Sequence, residues 1–193
     1  GDDLTAFLIN VFIIMKQFST KNSSYYICMA DISTFEIYSA LKQSQIYYTM
    51  PIVWVKPRPT ISWNRYHPQH EPILYSEAHE RIVYTGNGAK PTGPASRWFG
   101  PKNESTVWRV ETDPNKEYKH PTQKPVKLAY RAILNSTEEG EIVCDPFGGS
   151  GLPLIACEML KRKCRMIELS PEYCDIIIKR WELFTGKKAV KLQ

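Results

Sequence analysis

The feature that most constrains this chain is a bend. Residues 141–158 read EIVCDPFGGSGLPLIACE. An apolar run (Ile142, Val143, Cys144) ends at Asp145, glycines follow at 148, 149 and 151, and a helix-forming run begins at Leu152. Glycines between a strand and a helix let the backbone approach a ligand closely, and the helix N-terminus adds unsatisfied N–H groups. In an open α/β sheet, ligands bind at such a strand end. The pattern therefore predicts an α/β sheet with a binding crevice above this strand.

The bend also restricts the ligand. A phosphate-gripping loop needs Gly-Lys-Ser/Thr, and Leu152 follows Gly151 instead. The dinucleotide pattern GxGxxG is absent as well. The next strand ends in Glu168, 17 residues after Gly151, where an acid can accept hydrogen bonds from both hydroxyls of a ribose. A ribose-binding acid without a phosphate grip suits a nucleoside cofactor that carries no phosphate, and S-adenosylmethionine is the commonest. The competing reading is a structural glycine turn beside a surface glutamate. A third piece, His120-Pro121-Thr122-Gln123-Lys124-Pro125, precedes the helix that feeds the bend. Its prolines fix the backbone on entry, and Thr122 and Lys124 offer a hydroxyl and a cation to a cofactor carboxylate.

Around this centre, helix and strand patterns alternate. Leu4, Phe7, Leu8, Val11, Phe12, Met15 and Phe18 follow helical spacing and predict a helix over 4–18. That run falls short of the ~20 apolar residues a membrane span needs, and Asp2 and Asp3 stand where a signal peptide would be basic. Strands are expected at 25–30, 46–55 (interrupted by Pro51) and 71–76, with a helix at 33–42. The last third predicts helices at 125–135, 152–160 and 171–184 and strands at 141–145 and 165–168. Strands alternating with helices imply a parallel sheet covered on both faces. The stretch 77–119 lacks periodicity and is rich in Gly, Pro, Asn and Lys, which predicts a surface loop or small inserted module. Its Trp98, Phe99 and Trp108 are bulky for a plain linker.

Charge points to the same middle segment. From Lys56 to Lys127 there are twelve Lys and Arg against seven Asp and Glu, whereas the rest holds thirteen of each. A local basic excess suits a polyanion, though a solvated loop surface would look the same. Five cysteines with no CxxC pair predict a reducing, cytoplasmic setting without disulfides or zinc, with Cys28 and Cys144 serving as small hydrophobes inside strands. His67, His70 and Glu71 are not spaced as HExxH, and Pro68 disfavours the aligning helix, so no metal is expected.

HPTQKP, then DPFGGSG about twenty residues on, then an acid at the next strand end, together resemble the amino-methylating DNA methyltransferases. The motif order is that of the β class, whose cofactor half lies at the C-terminus. Segments 52–57 (IVWVKP), 67–76 (HPQHEPILYS), 105–110 (STVWRV) and 164–189 are similar to its phage and prophage members. The resemblance covers nearly all of residues 1–193. It implies a Rossmann-like, S-adenosylmethionine-dependent methyltransferase sheet in a single domain, with an inserted target-recognition region within 77–119. Carried over by position, Asp145, Phe147, Gly149, Ser150 and Gly151 line the cofactor and Glu168 holds its ribose. Thr122 and Lys124, with His120 nearby, face the methionine end.

Two departures stand out. Leu152-Pro153 replaces the small polar residues usual after the last glycine. The catalytic motif, Asp-Pro-Pro-Tyr or a close variant, is absent from these residues. In this motif order it belongs just before a helix like 4–18. The expectation is therefore a partial domain, completed by an upstream portion or a complementing chain, with a homodimer also compatible. Its absent strand would leave two unpaired sheet edges.

The implied reaction is methyl transfer to the exocyclic amine of adenine (N6) in double-stranded DNA, in a restriction-modification setting in bacterial or phage-infected cytoplasm. Cytosine N4 is the alternative. Amine methylation is direct displacement on a positioned methyl group and needs no covalent enzyme intermediate. Carbon-5 methylation would need a Pro-Cys nucleophile, and none of the fourteen prolines precedes a cysteine. Lys56 and Arg58, and from the insertion Arg81, Lys90, Arg97, Lys102 and Arg109, are candidates for DNA backbone contact, though each is also an ordinary solvated charge. Rival readings are an inactive cofactor- and DNA-binding remnant, and a methyltransferase for RNA or a small molecule.

Overall fold

The computed structural model describes residues 2–61, 63, 65–78, 97–111 and 124–192. They divide into two compact units, one formed by Gly1–Trp98 with Lys102–Arg109 and the other by Phe99–Pro101 with Val110–Gln193.

The first unit opens with helix α1 (Asp2–Gln17), followed by β1 (Ser24–Cys28), a 3-10 turn at Asp31–Ser33, α2 (Thr34–Gln43), β2 (Tyr47–Val55), β3 (His70–Glu77) and β4 (Val107–Arg109). The apolar spacing read along residues 4–18 becomes α1, and Phe12 is buried against Tyr25, Ile37, Leu41 and Leu74. Helix α2 contributes Ile37, Ala40 and Leu41, one face at i, i+3, i+4. Among the described residues no helix is long and apolar enough to cross a membrane.

The sheet corrects the expectation of parallel strands. Its order is β1-β3-β2-β4, and β3 runs antiparallel to both neighbours. Only β2 and β4 are parallel, with Val53 opposite Val107 and Val55 opposite Arg109. The reason lies in the connection: β2 reaches β3 through residues 56–69 without a crossover helix, and a direct return gives an antiparallel pair. Residues 73–77 of β3 are buried without alternation, as befits a central strand covered on both faces.

Pro51 does not interrupt β2. It pairs in register with Leu74, just beyond an irregularity between Tyr48 and Met50, and β4 joins β2 only from Val53 onward. A proline is tolerated where no neighbour claims its missing N–H. The residues 107–109, expected within the inserted region, instead complete the sheet. Trp108 is 1% exposed, with its indole N–H donating to the Ser105 carbonyl at 2.9 Å.

The second unit contains α3 (Val126–Ser136), β5 (Ile142–Asp145), α4 (Leu152–Leu160), β6 (Lys163–Met166) and α5 (Pro171–Thr185). Here the parallel expectation holds: β5 and β6 pair in parallel, Asp145 opposite Met166. Ile133, Ala156, Cys157 and Leu160 form the core, with Val143 and Cys164 packed against it from the strands. The opposite positions, Ile142 and Cys144, are exposed, as is Cys28 in the first unit. Cys28 and Cys144 thus lie in strands as expected, but they do not serve there as core hydrophobes. Cys28 closes β1, which has a partner on one side only, and Cys144 alternates away from the face that α3 and α4 cover. Cys157, on α4, is the buried thiol.

Candidate functional site

The bend forms within the second unit. Strand β5 delivers Asp145, whose Oδ1 accepts the Phe147 N–H at 3.0 Å, turning the chain at once. The Gly148 N–H donates to the Ile167 carbonyl at 2.8 Å, and the Ile167 N–H donates to the Asp145 carbonyl at 3.0 Å. Two strand ends are thus bonded directly past the last sheet pair. Gly151 N–H donates back to Gly148 at 2.9 Å, closing a tight turn from which α4 starts.

Each glycine answers to a different constraint. Gly151 is the N-cap of α4 at φ +75°, and a Cβ there would come within 3.1 Å of the Ile177 side chain on α5. Gly148 has ordinary φ, yet a Cβ would meet the Met166 side chain at 3.1 Å and the Ile167 carbonyl at 3.3 Å. These two let the turn sit against β6 and α5. Among the described residues, a Cβ on Gly149, at φ +52°, meets only the Phe147 carbonyl at 3.8 Å, so the turn leaves space beyond its Cα there.

Glu168 faces this turn. One carboxylate oxygen accepts the Gly149 N–H at 2.6 Å and the other accepts the Ser170 N–H at 2.9 Å. Charge-assisted bonds of this kind are the strong ones. Burial raises the Asp145 carboxyl above the usual carboxylate range, the Phe147 N–H opposes the shift, and the nearby Glu168 charge adds to it. The site therefore holds two neighbouring carboxylates, one tied to backbone donors on both oxygens and one partly desolvated. The Phe147 ring is 54% exposed beside them.

The structure brings Asp145, Phe147, Gly149, Gly151 and Glu168 together at this turn. Ser150 is buried, and Arg180 donates to its carbonyl at 3.0 Å and its hydroxyl at 3.4 Å. Arg180 is a clamp on the turn that sequence reasoning missed, since nothing but proximity links α5 to residue 150. Lys124 lies just ahead of Pro125, the N-cap of α3. His120, Thr122, Arg81 and Lys90 lie outside the described residues. The side chain of Arg97 is half-buried, while Arg58, Lys102 and Arg109 are exposed. The Lys56 ammonium is 2.8 Å from the Glu71 carboxylate, donates to the Thr60 hydroxyl at 3.2 Å and lies 5.5 Å from the Trp54 ring centre, contacts that brace the protein.

Known proteins are similar to this chain. The Type II methyltransferase M2.MboI of Moraxella bovis is 29% identical over 175 residues, covering 88% of this chain and 63% of its own length. The Type II methyltransferase M.Cfr9I of Citrobacter freundii is 34% identical over 143 residues, covering 73% of this chain and 46% of its own. The chain thus spans between about half and just under two thirds of the length of these curated relatives. The crystal structure of the M1.HpyAVI–SAM complex superposes with a TM-score of 0.71 at 25% identity, over 90% of this chain and 81% of that one. The α/β fold is accordingly the Rossmann-like fold of S-adenosylmethionine-dependent DNA methyltransferases. With residues 2–179 matched by the model of the DNA methylase family that groups N6 and N4 enzymes, this chain belongs to that family.

Proposed function

We propose that this chain carries the cofactor-binding half of a site-specific DNA methyltransferase that uses S-adenosylmethionine to methylate the exocyclic amine of adenine (N6) in double-stranded DNA, in the cytoplasm. The observation that supports this best is the Gly149–Glu168 pair, a turn open above Gly149 with an acid bonded to its backbone. The residues present fit an adenosyl group. The Glu168 carboxylate suits a ribose diol, and the exposed Phe147 ring offers an apolar face to a base. Gly149 admits close approach where any side chain would project into the space. Lys124, Thr122 and His120 are the candidates for the carboxylate end. Once bound, the cofactor supplies an electrophilic methyl group.

The protein's part in such a transfer is to hold donor and amine in line and to exclude water. Asp145 and Glu168 supply negative charge at the rim. Adenine is preferred over cytosine because the segments at 52–57, 67–76, 105–110 and 164–189 resemble phage and prophage members of the family, and that resemblance leans towards adenine; either base must leave the helix stack to react.

Isothermal titration of the chain with S-adenosylmethionine should show saturable binding that NAD does not reproduce. Absence of binding overturns the cofactor assignment. Labelled cofactor supplied to the natural gene product with duplex DNA, followed by nucleoside analysis, should yield N6-methyladenine. N4-methylcytosine in its place, or labelling of RNA alone, overturns the substrate assignment.

A further inference from the structure

The loop between β2 and β3 is built differently at its base and its tip. At the base the hairpin continues past the strands. The Lys56 N–H donates to the Gln69 carbonyl at 2.8 Å, the Gln69 side-chain amide donates to the Lys56 carbonyl at 3.2 Å, and the Thr60 N–H donates to the Pro68 carbonyl at 2.9 Å. The Lys56 ammonium bonds both Thr60 and Glu71 across the same region. Pro57, Pro59 and Pro68 restrict the backbone further. This is a stiffened stalk.

The tip carries the opposite chemistry. Trp63 is fully exposed, and Ile61 and Tyr66 are 88% and 91% exposed. A large aromatic held wholly in water forgoes burial that the fold could have provided, and such groups mark contact surfaces. The charge around it has one sign: between residues 56 and 69 there are Lys56, Arg58 and Arg65 and no acid. Arg58 and Arg65 are exposed, and exposed Arg109 is in register with Val55, at the same end of the sheet from which the stalk rises. Exposed aromatics interleaved with arginines match a strand of stacked bases joined by phosphates: π-faces take bases, and guanidinium groups take the backbone.

We propose that residues 56–69 form a DNA-contacting arm in which Trp63 stacks against a base of duplex DNA displaced from its stack, while Arg58 and Arg65 hold the flanking phosphates. The proposal rests on duplex DNA being the substrate, and it adds an arm outside the basic stretch 77–119 expected to read the target. A rigid stalk favours insertion, because an aromatic wedge separates stacked bases only if its support does not yield. Lys56 acts as a positioning residue through Glu71 and Thr60.

The test uses the whole chain with a fluorescein-labelled duplex, the matching single strand and an RNA duplex, over a range of salt concentrations. Trp63→Ala should weaken duplex DNA binding by about 10-fold, whereas Trp63→Phe should stay within about 3-fold, since stacking survives in a smaller ring. Arg58→Ala combined with Arg65→Ala should flatten the slope of log affinity against log salt by about 2. Thermal melts should be unchanged for all three variants, because the altered side chains are exposed. S-adenosylmethionine titration should be unchanged too, which separates failure of the arm from failure of the cofactor site. Wild-type affinity in Trp63→Ala overturns the proposal, as does a defect confined to RNA, or a change in oligomeric state at unchanged DNA affinity. If the wild-type chain binds cofactor but no duplex DNA, the arm and the DNA assignment fall together while the cofactor assignment stands.

Discussion

The backbone N–H of Gly149 and the carboxylate of Glu168 meet at 2.6 Å, joining the turn after β5 to the chain just beyond β6. The acid that a nucleoside would engage is thus also the acceptor that holds the turn's shape. Its second oxygen receives the Ser170 N–H at 2.9 Å, which sets the start of α5. The proposed nucleoside contact and the local fold share one side chain, and substitutions can separate the two.

Glu168→Ala leaves two backbone donors without their acceptor and should cost about 1–3 kcal/mol, read by chemical denaturation. Glu168→Gln keeps an acceptor oxygen and should lose less stability. It should still weaken S-adenosylmethionine by at least about 10-fold in titration calorimetry, because the charge-assisted bond to a ribose is gone. Equal affinity in Glu168→Gln and wild type would remove the ribose role and leave only the structural one.

Gly151→Ala meets two obstacles, a left-handed backbone and a Cβ 3.1 Å from Ile177. The expected loss is about 1–2 kcal/mol for the backbone and about 1–3 kcal/mol for the crowding. In an Ile177→Ala background the crowding part should disappear and the backbone part persist. A double-mutant cycle on unfolding free energies reads the difference, and strict additivity would contradict the contact.

The Asp145 carboxyl is raised mainly by burial. Folding therefore takes up a proton between the ordinary carboxylate value and the raised one. Stability is highest below that window and declines as pH rises through it. Asp145→Asn removes the titration while keeping an acceptor for the Phe147 N–H. The variant's stability relative to wild type in thermal melts should rise as pH increases from the ordinary carboxylate value through the raised one, and level off above it. A constant offset between the two would show that Asp145 is not desolvated.

Lys56→Met should lower stability by about 1–3 kcal/mol, since it removes the ammonium paired with a Glu71 carboxylate that is only 28% exposed. Adding Glu71→Gln should restore part of the loss. The salt dependence of DNA binding should keep its slope in Lys56→Met. A slope reduced as much as by a phosphate-contacting arginine would place Lys56 on the DNA after all.

Trp108→Ala should cost about 3–5 kcal/mol in urea unfolding. Trp108→Phe should cost much less, losing chiefly the bond to the Ser105 carbonyl. A small loss in Trp108→Ala would mean that β4 is an appendage and not part of the sheet.

The second unit was legible from local pattern. Helix 152–160 was read to the residue, and the bend, Glu168 and the start of α5 at Pro171 follow from short-range rules: glycines where the backbone must turn left-handed, a proline in the first helical turn, an acid after an apolar strand. Each rests on residues close in sequence, and the parallel pairing of β5 and β6 follows from the helix between them. The first unit was less legible. Strand direction in β1-β3-β2-β4, Pro51 inside β2 and the burial of Trp108 depend on which strand lies beside which, and no local signal carries that. The same holds for Arg180 on Ser150, thirty residues apart, and for the pairing of Lys56 with Glu71. Backbone conformation is set by neighbours along the chain and can be read there; the partner of a side chain is set by packing, and only the folded molecule decides it.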